Sequence, residues 1–402
     1  MQNQKMLIIK ISLLFLYCSL NLVAQTELFK SNLYISDDNL TKFYSSFSID
    51  STQIYVNSND YYLHAFDKKT RVLNWSHYLA NKTNTNPIVH KNSIIVGKHI
   101  SEYYNKCVQL NCKTGDTIQT LKVDEIFNQP IFKDNIMFST AITYEDGGCI
   151  LAYDFNKNEI IWKQFIAHGV STQPYFLKNE IVANVENDNW FTIGYNGVLK
   201  DTLCKNQGHT FVDNIKCVKN YITLSHDEKA IDFSFLSKNL GFYDTFHSKF
   251  YDNKTFLLGN QTLLILGNNK KILQKIDLED IIISLDNNYS IYKTILKVEN
   301  NTIWFIINNR IVNYDFHNKK VNAAFDVSKW NPHQLILEQN LCYLISRKDG
   351  QLYVLNLDFD KKAIDMQNAK IKMQKEINNY KPDLKKVKAA KEAEKNYTKK
   401  LR

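Results

Sequence analysis

Apolar positions in this chain come in short runs of β-branched and aromatic residues, each entered through a turn rich in Asn, Asp and Lys. The runs are Ile54–Val56, Ile94–Val96, Ile136–Phe138, Ile181–Ala183, Tyr221–Leu224, Phe256–Leu258, Ile303–Phe305 and Leu341–Leu344. Runs of this kind bounded by turn residues read as strands following hairpin turns. The turns, taken at positions 50, 92, 134, 179, 220, 253, 300 and 340, lie 42, 42, 45, 41, 33, 47 and 40 residues apart. The short step and the long one after it together make two ordinary repeats. A period of about 40–45 residues suits four short antiparallel strands, one propeller blade. The expected fold is all-β, an eight-bladed β-propeller of four-stranded antiparallel blades over residues 26–360.

Two further features keep the same period. Pro87, Pro130 and Pro174 each stand five residues before a turn Asn, where proline can open the first strand of a unit without breaking a ladder. Downstream, Ala65-Phe66-Asp67 leads to Trp75 and Ala152-Tyr153-Asp154 leads to Trp162, with the same spacing from Asp to Trp. Weaker copies stand at Asn111 with Thr114-Gly115, at Asp315 and at Asn356. The Asp or Asn opens a turn, and the Trp offers a large packing surface between blades. This pattern, clearest from Ser51 to about Phe165, resembles the quinoprotein-like (pyrroloquinoline-quinone-type) repeat family of β-propellers. That family includes quinone-dependent dehydrogenases and non-enzymatic propellers, among them the propeller scaffold of outer-membrane barrel assembly. Its enzymes hold the quinone between a Trp and a disulfide of adjacent cysteines, and the sequence has no adjacent cysteines.

The two ends of the chain add location and charge. Residues 1–25 combine a basic start, an apolar core and Val23-Ala24 before Gln25, the pattern of a signal peptide. An exported, periplasmic, cell-envelope or secreted protein is expected. Leu28–Ile35 is apolar and has no repeat of its own, so it is expected to pair with the last blade near Gln351–Leu357 and close the ring. Residues 361–402 form a Lys-rich tail, helical or disordered, with 13 Lys and Arg402 against five acids. The tail therefore holds the whole formal charge of +9, which suits an anionic surface. The remainder is neutral overall, which argues against a nucleic-acid partner. The cysteines after Cys18 are irregularly spaced and are expected to be buried free thiols; no metal site is expected.

No nucleophile elbow, paired-His helix or phosphate-binding glycine loop is present. The candidate binding face is instead the set of loops joining the second and third strands of successive units. It carries Tyr103, Tyr104, Tyr144, Glu145, Asp188, Trp190, Asp227 and Glu228, with Asn59 and Asp60 in the first unit. Aromatic and acidic side chains together suit a basic peptide, a sugar or an interface. The expected function is a monomeric, non-enzymatic scaffold that binds a protein or envelope polymer and needs no cofactor. A quinone-dependent dehydrogenase-like enzyme and a carbohydrate-binding propeller are the alternatives.

Overall fold

The computed structural model describes residues 25–33, 45–58, 60–80, 86–101, 104–126, 128–143, 147–165, 174–177, 180–185, 189–202, 215–218, 221–224, 230–232, 247–267, 271–278 and 292–357. The expected leader up to residue 24 and the Lys-rich tail lie outside them. Strands are numbered in chain order, beginning with β1 (Gln25–Lys30). The first sheet is β2 (Ser46–Ile49), β3 (Gln53–Asn57), β4 (Tyr62–Asp67) and β5 (Leu73–Tyr78). The second is β6 (Ile88–His90), β7 (Ser93–Ser101), β8 (Tyr104–Asn111) and β9 (Thr117–Thr120). In the third, β10 (Glu125–Ile126) and β11 (Ile131–Lys133) both pair with β12 (Ile136–Thr143), followed by β13 (Gly147–Asp154) and β14 (Glu159–Phe165). The fourth is β15 (Tyr175–Leu177), β16 (Glu180–Val185), β17 (Asn189–Gly194) and β18 (Leu199–Thr202). The fifth has three described strands, β19 (Ile215–Val218), β20 (Tyr221–Leu224) and β21 (Ala230–Asp232). The sixth is β22 (His247–Tyr251), β23 (Lys254–Leu258), β24 (Thr262–Leu266) and β25 (Ile272–Asp277). The seventh is β26 (Thr294–Glu299), β27 (Thr302–Ile307), β28 (Arg310–Asp315) and β29 (Lys320–Asp326). The eighth joins β30 (Pro332–Glu338), β31 (Leu341–Ser346) and β32 (Leu352–Leu357) to β1.

Each apolar run of the sequence is the second strand of one sheet, and packing explains why these runs do not alternate with polar residues. Successive side chains on a strand point to opposite faces, so a strand buried on both faces is apolar throughout. On β3, Tyr55 packs toward the second sheet, while Ile54 and Val56 pack on Tyr343 and Ile345 of the eighth. On β27, Phe305 faces the sixth sheet, and Trp304 and Ile306 face the eighth. Shared apolar clusters join the first sheet to the second, the second to the third and the third to the fourth. Others join the sixth to the seventh, the seventh to the eighth and the eighth to the first.

The sequence expectation needs two corrections. The third sheet has five strands, because its first strand is split into β10 and β11 on either side of Pro130. The closing strand begins at Gln25, not Leu28, and its pairing ends at Lys30, running from Gln25 opposite Leu357 to Lys30 opposite Tyr353. Gln25 is buried at this junction and its carboxamide donates to the carbonyl of Asp326. Beyond β1 the chain is clasped by a side chain: Gln351 accepts from Leu33 N–H (2.8 Å) and donates to Leu33 C=O (2.7 Å). Residues 34–35 lie outside the described residues.

Candidate functional site

Pro87, Pro130 and Pro174 each immediately precede the first residue of a strand, β6, β11 and β15. Asp67 lies at the end of β4, where its carboxylate accepts from the N–H groups of Lys69 (3.0 Å) and Thr70 (2.6 Å) and from the Thr70 hydroxyl (2.8 Å). Those bonds, led by the Thr70 N–H, hold its pKa below the ordinary carboxylate value. Asp154 accepts from Asn156 N–H (2.9 Å) in the corresponding turn. Trp75 and Trp162 lie on the fourth strands and donate across to the next sheet, to Cys112 C=O (2.9 Å) and Tyr195 C=O (2.8 Å).

Of the candidate face, Tyr103, Tyr144, Glu145, Asp188, Asp227 and Glu228 lie outside the described residues. Tyr104 and Trp190 are strand residues instead of loop residues, pairing through their backbones with Ser101 and Asn184. Along the sequence, the candidates fall at or beside the step from second to third strand in the second to fifth sheets.

The equivalent connection of the first sheet is described from Asp60 onward. Tyr61, at φ 71°, turns the chain into β4. Tyr61, Tyr62 and Tyr78 are exposed by 39%, 37% and 54%, well above what core aromatics show. Tyr62 and Tyr78 are cross-strand partners with ring centroids 5.1 Å apart, and Tyr62 stacks on His64 at 5.8 Å. Asp60 accepts from Tyr62 N–H (3.1 Å) and lies 2.8 Å from His64 Nε2. The other imidazole nitrogen, Nδ1, lies 2.8 Å from Ser76 Oγ on β5. Sequence reasoning singled out Asp60 and passed over His64 and Ser76. The missed signal was positional, since residues three before the hairpin turn residue are apolar in the other clear units.

A concavity of about 630 Å³ lies between the first and eighth sheets and is lined by Thr52, Asp67, Lys68, Glu338 and Tyr343 among others. Lys68 Nζ is 2.6 Å from Glu338 and donates to Asp50 C=O (2.6 Å). Burial tends to raise the pKa of Asp50, yet donation from Thr52, Tyr55 and Gln53 outweighs it and holds the carboxyl below its ordinary value. These charged groups are committed to turns and to one another, so the groove reads as part of the seam. Cys107, Cys112, Cys149 and Cys342 are buried free thiols. Among the described residues, no group of three or more His, Cys, Asp or Glu side chains is placed to hold a metal.

No family model and no curated protein matches the chain. Among solved structures, the computationally designed Ika8 protein superposes with a TM-score of 0.56 at 16% sequence identity, covering 78% of this chain and 96% of that one. The C-terminal WD40 domain of Sif2 superposes with a TM-score of 0.56 at 8% identity, over 83% and 98%. BamB from Moraxella catarrhalis aligns more loosely, with a TM-score of 0.41 at 12% identity over 77% and 81%. WD40 repeats build β-propellers, and the fold of this chain is of that kind. At such identities the likeness speaks for the fold alone.

Proposed function

We propose that the eight sheets are the blades of one closed propeller, and that the chain is an exported scaffold binding a protein partner through the rim of its second-to-third-strand connections. The exposed cluster of Tyr61, Tyr62 and Tyr78 beside Asp60 carries this reading. Exposed, preorganised aromatics are favoured interface anchors, and the sequence continues the same chemistry at Tyr103–Tyr104, Tyr144–Glu145, Asp188–Trp190 and Asp227–Glu228. The leader is read as residues 1–24, one residue shorter than the sequence pattern suggested, because Gln25 belongs to β1. The basic tail is read as a contact for an anionic envelope surface, and the repeats as quinoprotein-like. A photo-crosslinking residue at position 62 or 78, in cells expressing the chain, is expected to capture one dominant protein adduct. Adducts no stronger there than at Leu273, an exposed site on the outer strand β25, would remove the rim from consideration.

A further inference from the structure

We propose that Ser76, His64 and Asp60 form a nucleophile, base and carboxylate relay through which Ser76 accepts an acyl group from an activated ester. This chemistry goes beyond scaffolding, and it rests on a departure from the repeat. Three residues before the hairpin turn residue, the third strands carry Val108, Leu151, Leu264 and Val312, in the second, third, sixth and seventh sheets. The first sheet carries His64 there, 6% exposed, where an apolar side chain would serve the packing. Departures of this kind from the local rule fall at functional or strained sites.

The geometry then assigns roles. His64 Nε2–H donates to Asp60 at 2.8 Å, which leaves Nδ1 as the acceptor for the Ser76 hydroxyl at 2.8 Å. Asp60 is itself fixed by Tyr62 N–H, so the imidazole is oriented from behind. Ser76 is exposed, placing the nucleophile at the surface and the base beneath it. Tyr62 and Tyr78 wall one side, and Phe66, packed edge-on against Phe29 of the closing strand, lies beyond His64. An aromatic wall suits an aryl or acyl-chain ester.

In the first step Ser76 Oγ attacks the ester carbonyl carbon while its proton passes to His64 Nδ1. The ester C–O bond then breaks, and the leaving alcohol takes that proton. Water attacks the acyl-serine, again losing a proton to His64, and the acid departs as Ser76 regains its hydrogen.

The test incubates the full chain with a fluorophosphonate probe, maps adducts by tandem mass spectrometry, and follows p-nitrophenyl acetate hydrolysis in parallel. Ser76 is expected to label, with the rate falling about 100-fold or more in His64→Gln and at least about tenfold in Asp60→Asn. Ser76→Ala, at an exposed site, is expected to fold normally and to lose both adduct and hydrolysis. If melting shows that His64→Gln does not fold, Asp60→Asn and Ser76→Ala carry the comparison. Labelling of Ser76 no faster than of other exposed serines, or undiminished in folded His64→Gln or Asp60→Asn, overturns the proposal and leaves a structural hydrogen-bond chain.

Discussion

At the scale of single residues, the junctions between sheets follow one rule with two solutions. Trp75, Gln119, Trp162 and Gln274 occupy one position on the fourth strand, and each donates to the carbonyl just after the next sheet's turn residue. Where the donor is Trp, the facing turn bears a left-handed glycine, Gly115 (φ 76°) or Gly197 (φ 82°). A Cβ on either would come within 2.6 Å of the indole. Where the donor is Gln, the left-handed residue is Asn158 (φ 53°) or Lys319 (φ 55°), because a slender carboxamide leaves room for a side chain. Gly115→Ala is therefore expected to cost about 1–3 kcal/mol, combining strain and overlap. Pairing Trp75→Gln with Gly115→Asn should cost less than the sum of the two single changes, by on the order of 1 kcal/mol in urea unfolding.

His333 contributes a pH dependence of definite sign. Burial, with the Arg347 cation adding to it, pushes its pKa down to about 4. The unfolded value is about 6.5, so the unfolded chain takes up the proton first. The stabilisation is complete above about pH 6.5 and is lost as pH falls toward about 4. The ring is only partly buried and solvent screens the effect, leaving a loss of about 1–2 kcal/mol. His333→Gln should flatten the stability curve across that window, as read from urea midpoints at pH 7 and pH 4.5.

At the scale of elements, the recurring device is a register shift between third and fourth strands just before the hairpin turn. It falls between Ala65 and Phe66, Gln109 and Leu110, Ala152 and Tyr153, Thr192 and Ile193, Ile265 and Leu266, and Asn313 and Tyr314. A bulge bends the outer strand and raises its twist, which brings the Trp or Gln over the neighbouring turn. The eighth sheet borrows its outer strand from the other end of the chain. Gln351 clasps Leu33, and Gln334 clasps the backbone of Phe47, accepting from its N–H (3.0 Å) and donating to its C=O (2.8 Å). Each carboxamide imitates the peptide group of a neighbouring strand. Gln351→Leu should lower the hydrogen-exchange protection of β1 by about ten- to thirtyfold, the equivalent of about 1–2 kcal/mol. Protection of β27 and β28 should stay unchanged.

At the scale of the whole molecule, packing between sheets is continuous across the seam, since Phe47, Ile54 and Phe66 share a cluster with Tyr343, Leu352 and Val354. Deleting residues 25–30 would expose the edge of β32 and remove Phe29 from Phe66. The expected outcome is a lower melting temperature with concentration-dependent aggregation, monitored by light scattering, because an open edge strand templates further pairing.

The sequence by itself determined the period and the position of every second strand. A strand buried on both faces must be apolar along its length, and polar turns must separate such strands, so the pattern is written locally. It also marked the hairpin turns through Asp67, Asn111, Asp154 and Asp315, whose side chains bond backbone only two or three residues ahead. Tertiary structure alone decided that β1 begins at Gln25, since the bonds fixing it come from Asp326 and residues beyond 350. It alone brought His64 to Ser76, for that meeting depends on a register set past a bulge and a hairpin. Local propensity carries no record of such long-range register, so the hydrogen-bond chain from Asp60 through His64 to Ser76 became visible only once the sheet was formed.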